Sequence, residues 1–152
     1  MRQTKLIRVV SAALFSLDFQ QSFGYNLTEV RIMAEVLLFN IEKGKAIKIK
    51  NLCRQIHISY REVDGSDYGV RLSALLGMSA DRSSKPCGEL DGEMLYFAGF
   101  NGGLLNIFLD QLRRKKASVA LKAVMTETNV DFTPYELYCE LKSEHEALSQ
   151  RR

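Results

Sequence analysis

Val119-Ala-Leu-Lys-Ala-Val-Met-Thr-Glu-Thr-Asn-Val-Asp-Phe-Thr-Pro-Tyr-Glu-Leu-Tyr-Cys-Glu-Leu-Lys-Ser-Glu-His-Glu-Ala-Leu148 reads as a buried strand, a polar loop and a capped helix in succession. Residues 119–125 are a nearly continuous apolar run, interrupted by Lys122, as in a strand covered on both faces in a parallel or mixed sheet. Thr133-Pro134-Tyr135-Glu136 supplies a capping hydroxyl, a proline at the first helical position, where no N–H is needed, and a carboxylate that can reach back to the cap. The spacing of Leu137, Leu141, His145 and Leu148, with Tyr138 beside them, predicts an amphipathic helix on a sheet, with Glu140, Lys142, Glu144 and Glu146 toward water.

The same unit recurs upstream. Residues 34–41 read as a strand, and Lys43 to His57 as a helix with Ile49, Leu52, Cys53 and Ile56 inward and Lys43, Lys45, Lys48, Lys50 and Arg54 mostly outward. Residues 58–63 alternate like a half-buried strand, completing a β-α-β unit of a length suited to a right-handed crossover. Asp67 to Gly77 predicts a short helix or turn. Residues 93–98 predict a third strand, Gly99 to Gly103 a turn, and Leu104 to Lys116 a helix with Leu104, Leu105, Phe108 and Leu112 inward. Residues 119–125 supply the fourth. The expected class is α/β, a small open sandwich of about four strands, mostly parallel or mixed, with helices on both faces. Residues 78–92 have turn composition and no period, and are expected to form a mobile connector rather than a functional flap.

The first 32 residues do not share this pattern. Arg2, Lys5 and Arg8 surround an apolar stretch, Ile7 to Leu17, that is too short to span a bilayer. No small-residue cleavage site follows it, which argues against a secretory signal. Thr28-Glu-Val-Arg-Ile-Met33 can be encoded by codons containing the purine-rich ribosome-binding sequence GGAGGT, just ahead of Met33. The expectation is therefore an N-terminal extension, 1–32, arising from a mis-assigned start, with a docking or disordered segment as the alternative, followed by one α/β domain over 33–150.

A chain of 152 residues, 46% of them hydrophobic, is sufficient for one buried core. Formal charge is +3, and residues 33–152 hold 17 basic residues against 16 acidic. That near balance excludes an obvious nucleic-acid binder. The lysines of residues 43–50 lack the interleaved aromatics of a stacking platform and read as the solvated face of a helix. Cys53, Cys87 and Cys139, three in number and without CxxC spacing, argue against a disulfide framework or a zinc site and fit a reducing cytoplasm. Cys53 and Cys139 are expected in the core and Cys87 exposed. His57 and His145 have no paired ligand spacing, so no metal is expected.

In open α/β sheets, ligands bind outside the carboxyl ends of the strands. Four segments are expected to gather there: Asn40 to Gly44, Asp64 to Tyr68, Gly99 to Gly103, and Thr126 to Asn129. The ligand-binding candidates are Asn40, Lys43, Gly99, Asn101, Gly102, Thr126, Glu127 and Asn129. The Gly99-x-Asn-Gly-Gly103 turn opens a helix, where free N–H groups could meet an anion. It is neither a GxGxxG fingerprint nor a P-loop. Glu127 has no second acid or metal site beside it in sequence, so no catalytic residue is assigned.

Residues 34–148 resemble an uncharacterised bacterial family catalogued as a domain of unknown function, number three-seven-eight-three. The matching residues are Val36-Leu-Leu-Phe-Asn40 with Gly44-Lys45, Leu75-Leu-Gly77, Met94 with Phe97-x-Gly99-Phe100, Leu121-Lys-Ala-Val-Met-Thr-Glu-Thr-Asn129, Thr133-Pro-Tyr-Glu-Leu137 and Glu140-Leu-Lys-x-Glu-His145. The family carries tryptophan before the Thr-Pro cap, where this chain has Phe132. The resemblance implies a cytoplasmic α/β domain of Gram-positive, Clostridia-type bacteria, and supplies no activity, cofactor or catalytic residue. With nucleophile–base, metal and cofactor signatures absent, the expected function is a non-catalytic, ligand- or protein-binding regulatory module that needs no cofactor. Its partner would be a small anionic ligand or a protein, with no nucleic acid and no membrane span. The alternative is a small enzyme, or a nucleotide- or phosphate-binding domain, with its site at the carboxyl edge of the sheet.

Overall fold

The capping box predicted at residue 133 is formed. In the computed structural model, which describes residues 33–151, Thr133 accepts from the Glu136 N–H at 3.1 Å while the Glu136 carboxylate accepts from the Thr133 N–H at 2.9 Å. The readings made for residues 1–32 lie outside the described residues. In chain order the elements are β1 (Glu35–Phe39), α1 (Lys43–Gln55), β2 (Ser59–Val63), α2 (Leu72–Leu75), β3 (Met94–Ala98), α3 (Gly102–Arg114), β4 (Leu121–Val124) and α4 (Pro134–Gln150). Single 3-10 turns lie at Gly65–Asp67 and Asn129–Asp131.

The sheet order is β2-β1-β3-β4. The outer pairs β1–β2 and β3–β4 are parallel, and the central pair β1–β3 is antiparallel, with Glu35 opposite Ala98 and Phe39 opposite Met94. Two β-α-β units thus lie side by side, pointing opposite ways. A two-fold relation normal to the sheet sends one crossover to the other on the same face, and α1 and α3 do share a face.

Side-chain alternation on the strands separates two cores. Val36, Leu38, Leu95, Phe97 and Val124 pack under α1 and α3. Leu37, Phe39, Met94, Tyr96 and Ala123 pack on the other side under α2 and α4. The two central strands are therefore buried on both faces, apart from Glu35 at one end, which explains their continuous apolar runs. In the first core Phe97, Phe100 and Phe108 meet edge to face, with centroids 5.2–5.7 Å apart. β2 is a polar edge, as unpaired strand edges usually are.

Three sequence expectations change here. The inward stripe of α4 ends at Leu141, and His145 and Leu148 are exposed. Cys139 is exposed too, so Cys87 is not alone as an accessible thiol. The 78–92 segment, expected to be a mobile connector, is strapped down. Ser84 bridges Val70, and the Lys85 N–H donates to the Gly69 carbonyl at 2.9 Å. A Cβ at Gly69 would fall 2.1 Å from the Lys85 carbonyl oxygen, so this crossing requires glycine. Beyond it, Lys85 pairs with Glu136 at 3.1 Å, and Asp91 receives Lys142 Nζ at 2.8 Å together with the Tyr138 hydroxyl.

Candidate functional site

The eight candidate residues do not meet. Because β3 runs against β1, the carboxyl ends of β1 and β2 open on one edge of the sheet, and those of β3 and β4 on the opposite edge. Asn40, Lys43 and the Asp64–Tyr68 segment occupy the first edge. Gly99, Asn101, Gly102, Thr126, Glu127 and Asn129 occupy the second. The expectation of one gathered edge assumed parallel strands throughout, and this central antiparallel pair divides it.

At the first edge the polar groups are engaged within the fold. Asn40, held in the left-handed region at φ 55°, donates through Nδ2 to the carbonyls of Leu90 at 2.9 Å and Gly92 at 3.1 Å. The Glu42 carboxylate accepts from the N–H groups of Gly44 at 3.2 Å and Lys45 at 3.0 Å. Those two backbone bonds hold its carboxyl below the usual range. Glu93 accepts from the Glu42 N–H at 2.9 Å and from Lys45 Nζ at 2.7 Å. Two of the chain's own carboxylates therefore occupy the N-terminus of α1, where an external anion would otherwise be attracted. Lys43 is exposed and makes no ion pair among the described residues.

At the second edge Asn129 is wholly buried. Its Oδ1 accepts from the Tyr96 hydroxyl at 2.6 Å and from the Thr126 N–H at 2.9 Å, and its Nδ2 donates to the Val124 carbonyl at 2.9 Å. Thr126 Oγ1 in turn accepts from the Asn129 N–H at 3.0 Å. Burial, with a smaller contribution from Asp131, pushes the Tyr96 phenol well above its ordinary range, so it serves as a fixed donor. Gly99 takes φ 73°, and Asn101 caps α3 by accepting from the Leu104 N–H at 2.8 Å. Gly102 opens that helix, and Glu127 stands exposed without a partner among the described residues. This edge retains the exposed start of a helix and one isolated carboxylate, which do not make a catalytic pair.

Lys122 lies on β4, an edge strand of the sheet, half-buried with its Nζ on the Val119 carbonyl. Burial, then the charge of Arg113, pushes its amine below the ordinary lysine range. Cys53 is sealed in the core, and burial pushes its thiol up to about 12. Among the described residues no three His, Cys, Asp or Glu side chains are placed to hold a metal, and no helix is long and apolar enough to cross a membrane.

The seam between the 84–92 loop and α4 was not singled out from sequence. Asp91 sits beside Lys142 and Tyr138, and hydrogen bonds from both hold its carboxyl below the usual range. Its stabilising contribution is therefore full above the ordinary aspartate value of about 3.9 and is lost as pH falls through the depressed one. The Lys142 amine is raised by the same contact, so its share is full below the ordinary lysine value of about 10.4 and is lost as pH rises through the raised one. The Asp91→Asn variant is thus expected to show a shallower acid loss of stability than the parent below about pH 4. Urea midpoints of both proteins across that range check this, and parallel curves would remove Asp91 from the explanation.

Residues 93–148 match the model of a family described as domain of unknown function (DUF3783), the family that the sequence resembles. The matched segment carries β3, α3, β4 and most of α4. No curated protein and no solved structure matches the chain.

Proposed function

We propose that this chain is a small non-catalytic binding module of a bacterial cytoplasm, and that it recognises an acidic protein partner through the outer face of α1 and α3. The supporting observation is a segregation of charge. Residues 43–55 and 102–116 together hold nine cationic residues against one acidic, while the remainder of residues 33–152 holds eight against fifteen. A near-neutral total hides a basic layer on one side of the sheet. Lys43, Lys48, Lys115 and Lys116 make no ion pair among the described residues. Ile47 and Ile107, 58% and 55% exposed on the same two helices, add apolar contact area. Such a mixture suits a protein surface, where a field of one sign steers encounter and a few apolar side chains supply affinity. No aromatic side chain is exposed on either helix to stack a base. The enzyme or phosphate-binding alternative has less support, because its groups are split between two edges and its three asparagines are engaged internally.

The test is an amide-shift titration of the isotope-labelled chain with a synthetic glutamate-rich, leucine-containing peptide, beside a single-stranded DNA oligonucleotide of equal charge. Expected are shifts confined to α1 and α3, weakened by added salt. Joint replacement Lys43→Glu, Lys48→Glu and Lys116→Glu is expected to cost at least roughly tenfold in affinity. Shifts centred on the strand-end loops, or preference for the oligonucleotide, would overturn the proposal.

A further inference from the structure

We propose that Cys87 and Cys139 form a peroxide-responsive dithiol that closes to a disulfide and fastens the 84–92 loop to α4. Both thiols are free and exposed, on two segments that already run along one another. Lys85 is tied to Glu136, and Asp91 to Lys142. These two ties bracket Cys87 on the loop and Cys139 on the helix. Tyr135 stands on α4 one turn before Cys139. Gly88, next to Cys87, packs on the same ring, and a Cβ there would lie 3.1 Å from the Tyr135 hydroxyl oxygen. The Tyr135 ring thus lies between the loop backbone at Gly88, next to Cys87, and the helix that carries Cys139. A disulfide needs Cα atoms within roughly 7 Å, a demand on the loop rather than on the helix.

The chemistry balances with a peroxide as the two-electron oxidant. One thiolate attacks the O–O bond, an S–O bond forms, and the leaving oxygen departs as water after protonation, giving a sulfenic acid. The second thiol attacks that sulfur, the S–S bond forms, the S–O bond breaks, and a second water leaves. Cys53, buried in the opposite core, takes no part.

The test treats the full chain with hydrogen peroxide near its own concentration, then alkylates it after unfolding and reads intact and peptide masses. Expected is loss of two hydrogens, one alkylated thiol at Cys53, and a peptide pair joined through Cys87 and Cys139. The melting temperature should rise by roughly 10 °C, reversibly with a dithiol reductant, as loop closure constrains the unfolded chain. Cys87→Ser and Cys139→Ser change exposed side chains, so both variants fold, and neither should form the joined peptide or show the rise. Oxygen added to either thiol without joining, a link between two chains, a link to Cys53, or closure without thermal effect would each overturn the proposal.

Discussion

Asn129→Ala is expected to lower the unfolding free energy by about 3–5 kcal/mol, from the loss of three hydrogen bonds at one position, two of them fully buried. The Tyr96 hydroxyl and the Val124 carbonyl each lose a buried partner, and the half-buried Thr126 N–H loses a third. Leaving such groups unsatisfied costs more than the bonds contribute net, because their desolvation remains uncompensated. Tyr96→Phe is the comparison. It removes one donor but leaves Asn129 Oδ1 on the Thr126 N–H, and should cost about 1–2 kcal/mol. Urea denaturation of both variants checks the pair, with an unchanged slope on denaturant required for the comparison to hold. If Asn129→Ala were nearly neutral, this residue would again be available as a ligand group.

Phe108→Ala is expected to cost about 3–5 kcal/mol, the usual range for removing a buried ring. Phe108 is inaccessible and packs edge to face on Phe97 at 5.5 Å and on Phe100 at 5.7 Å. The three rings link α3 to β3 and to the turn after it, so the vacated space has rigid walls and collapses poorly. A domain of this size holds about 5–15 kcal/mol in all. The variant should therefore show a strongly reduced denaturation midpoint, whereas exposed Ile107→Ala on the same helix should stay within about 0.5 kcal/mol of the parent.

Local signals in the chain carried most of the architecture. The Thr133, Pro134 and Glu136 cap is formed, and the apolar runs at residues 34–41, 93–98 and 119–125 each contain a strand. What no local signal carries is the direction of β3. The segment between β2 and β3 passes over β1 at one edge of the sheet and sends β3 back antiparallel to it, and residues 78–92 have no period to reveal that. The division of the candidate site follows from this one reversal. The asparagines were misleading for a related reason: a buried loop asparagine that satisfies the backbone has the same residue type as one that awaits a ligand. The stripe on α4 was overextended because spacing does not encode the size of the support beneath. Strands of 4–5 residues reach about 16 Å, while a 17-residue helix reaches about 25 Å, so its last turns overhang the sheet.

The antiparallel pairing of β1 with β3 also bears on how the chain reaches its native state. Each β-α-β unit closes over a short stretch of sequence, but Glu35 meets Ala98 across most of the domain. Bringing such distant segments together carries the larger loop-closure entropy, and topologies rich in these contacts fold more slowly. The two units can gain helix and strand structure independently, while the hydrogen bonds across their common border await the docking of one half on the other. That border is also where two continuous cores first exclude water on both faces of the sheet. Cooperativity of the whole domain thus resides in a five-residue ladder between two strands from different halves.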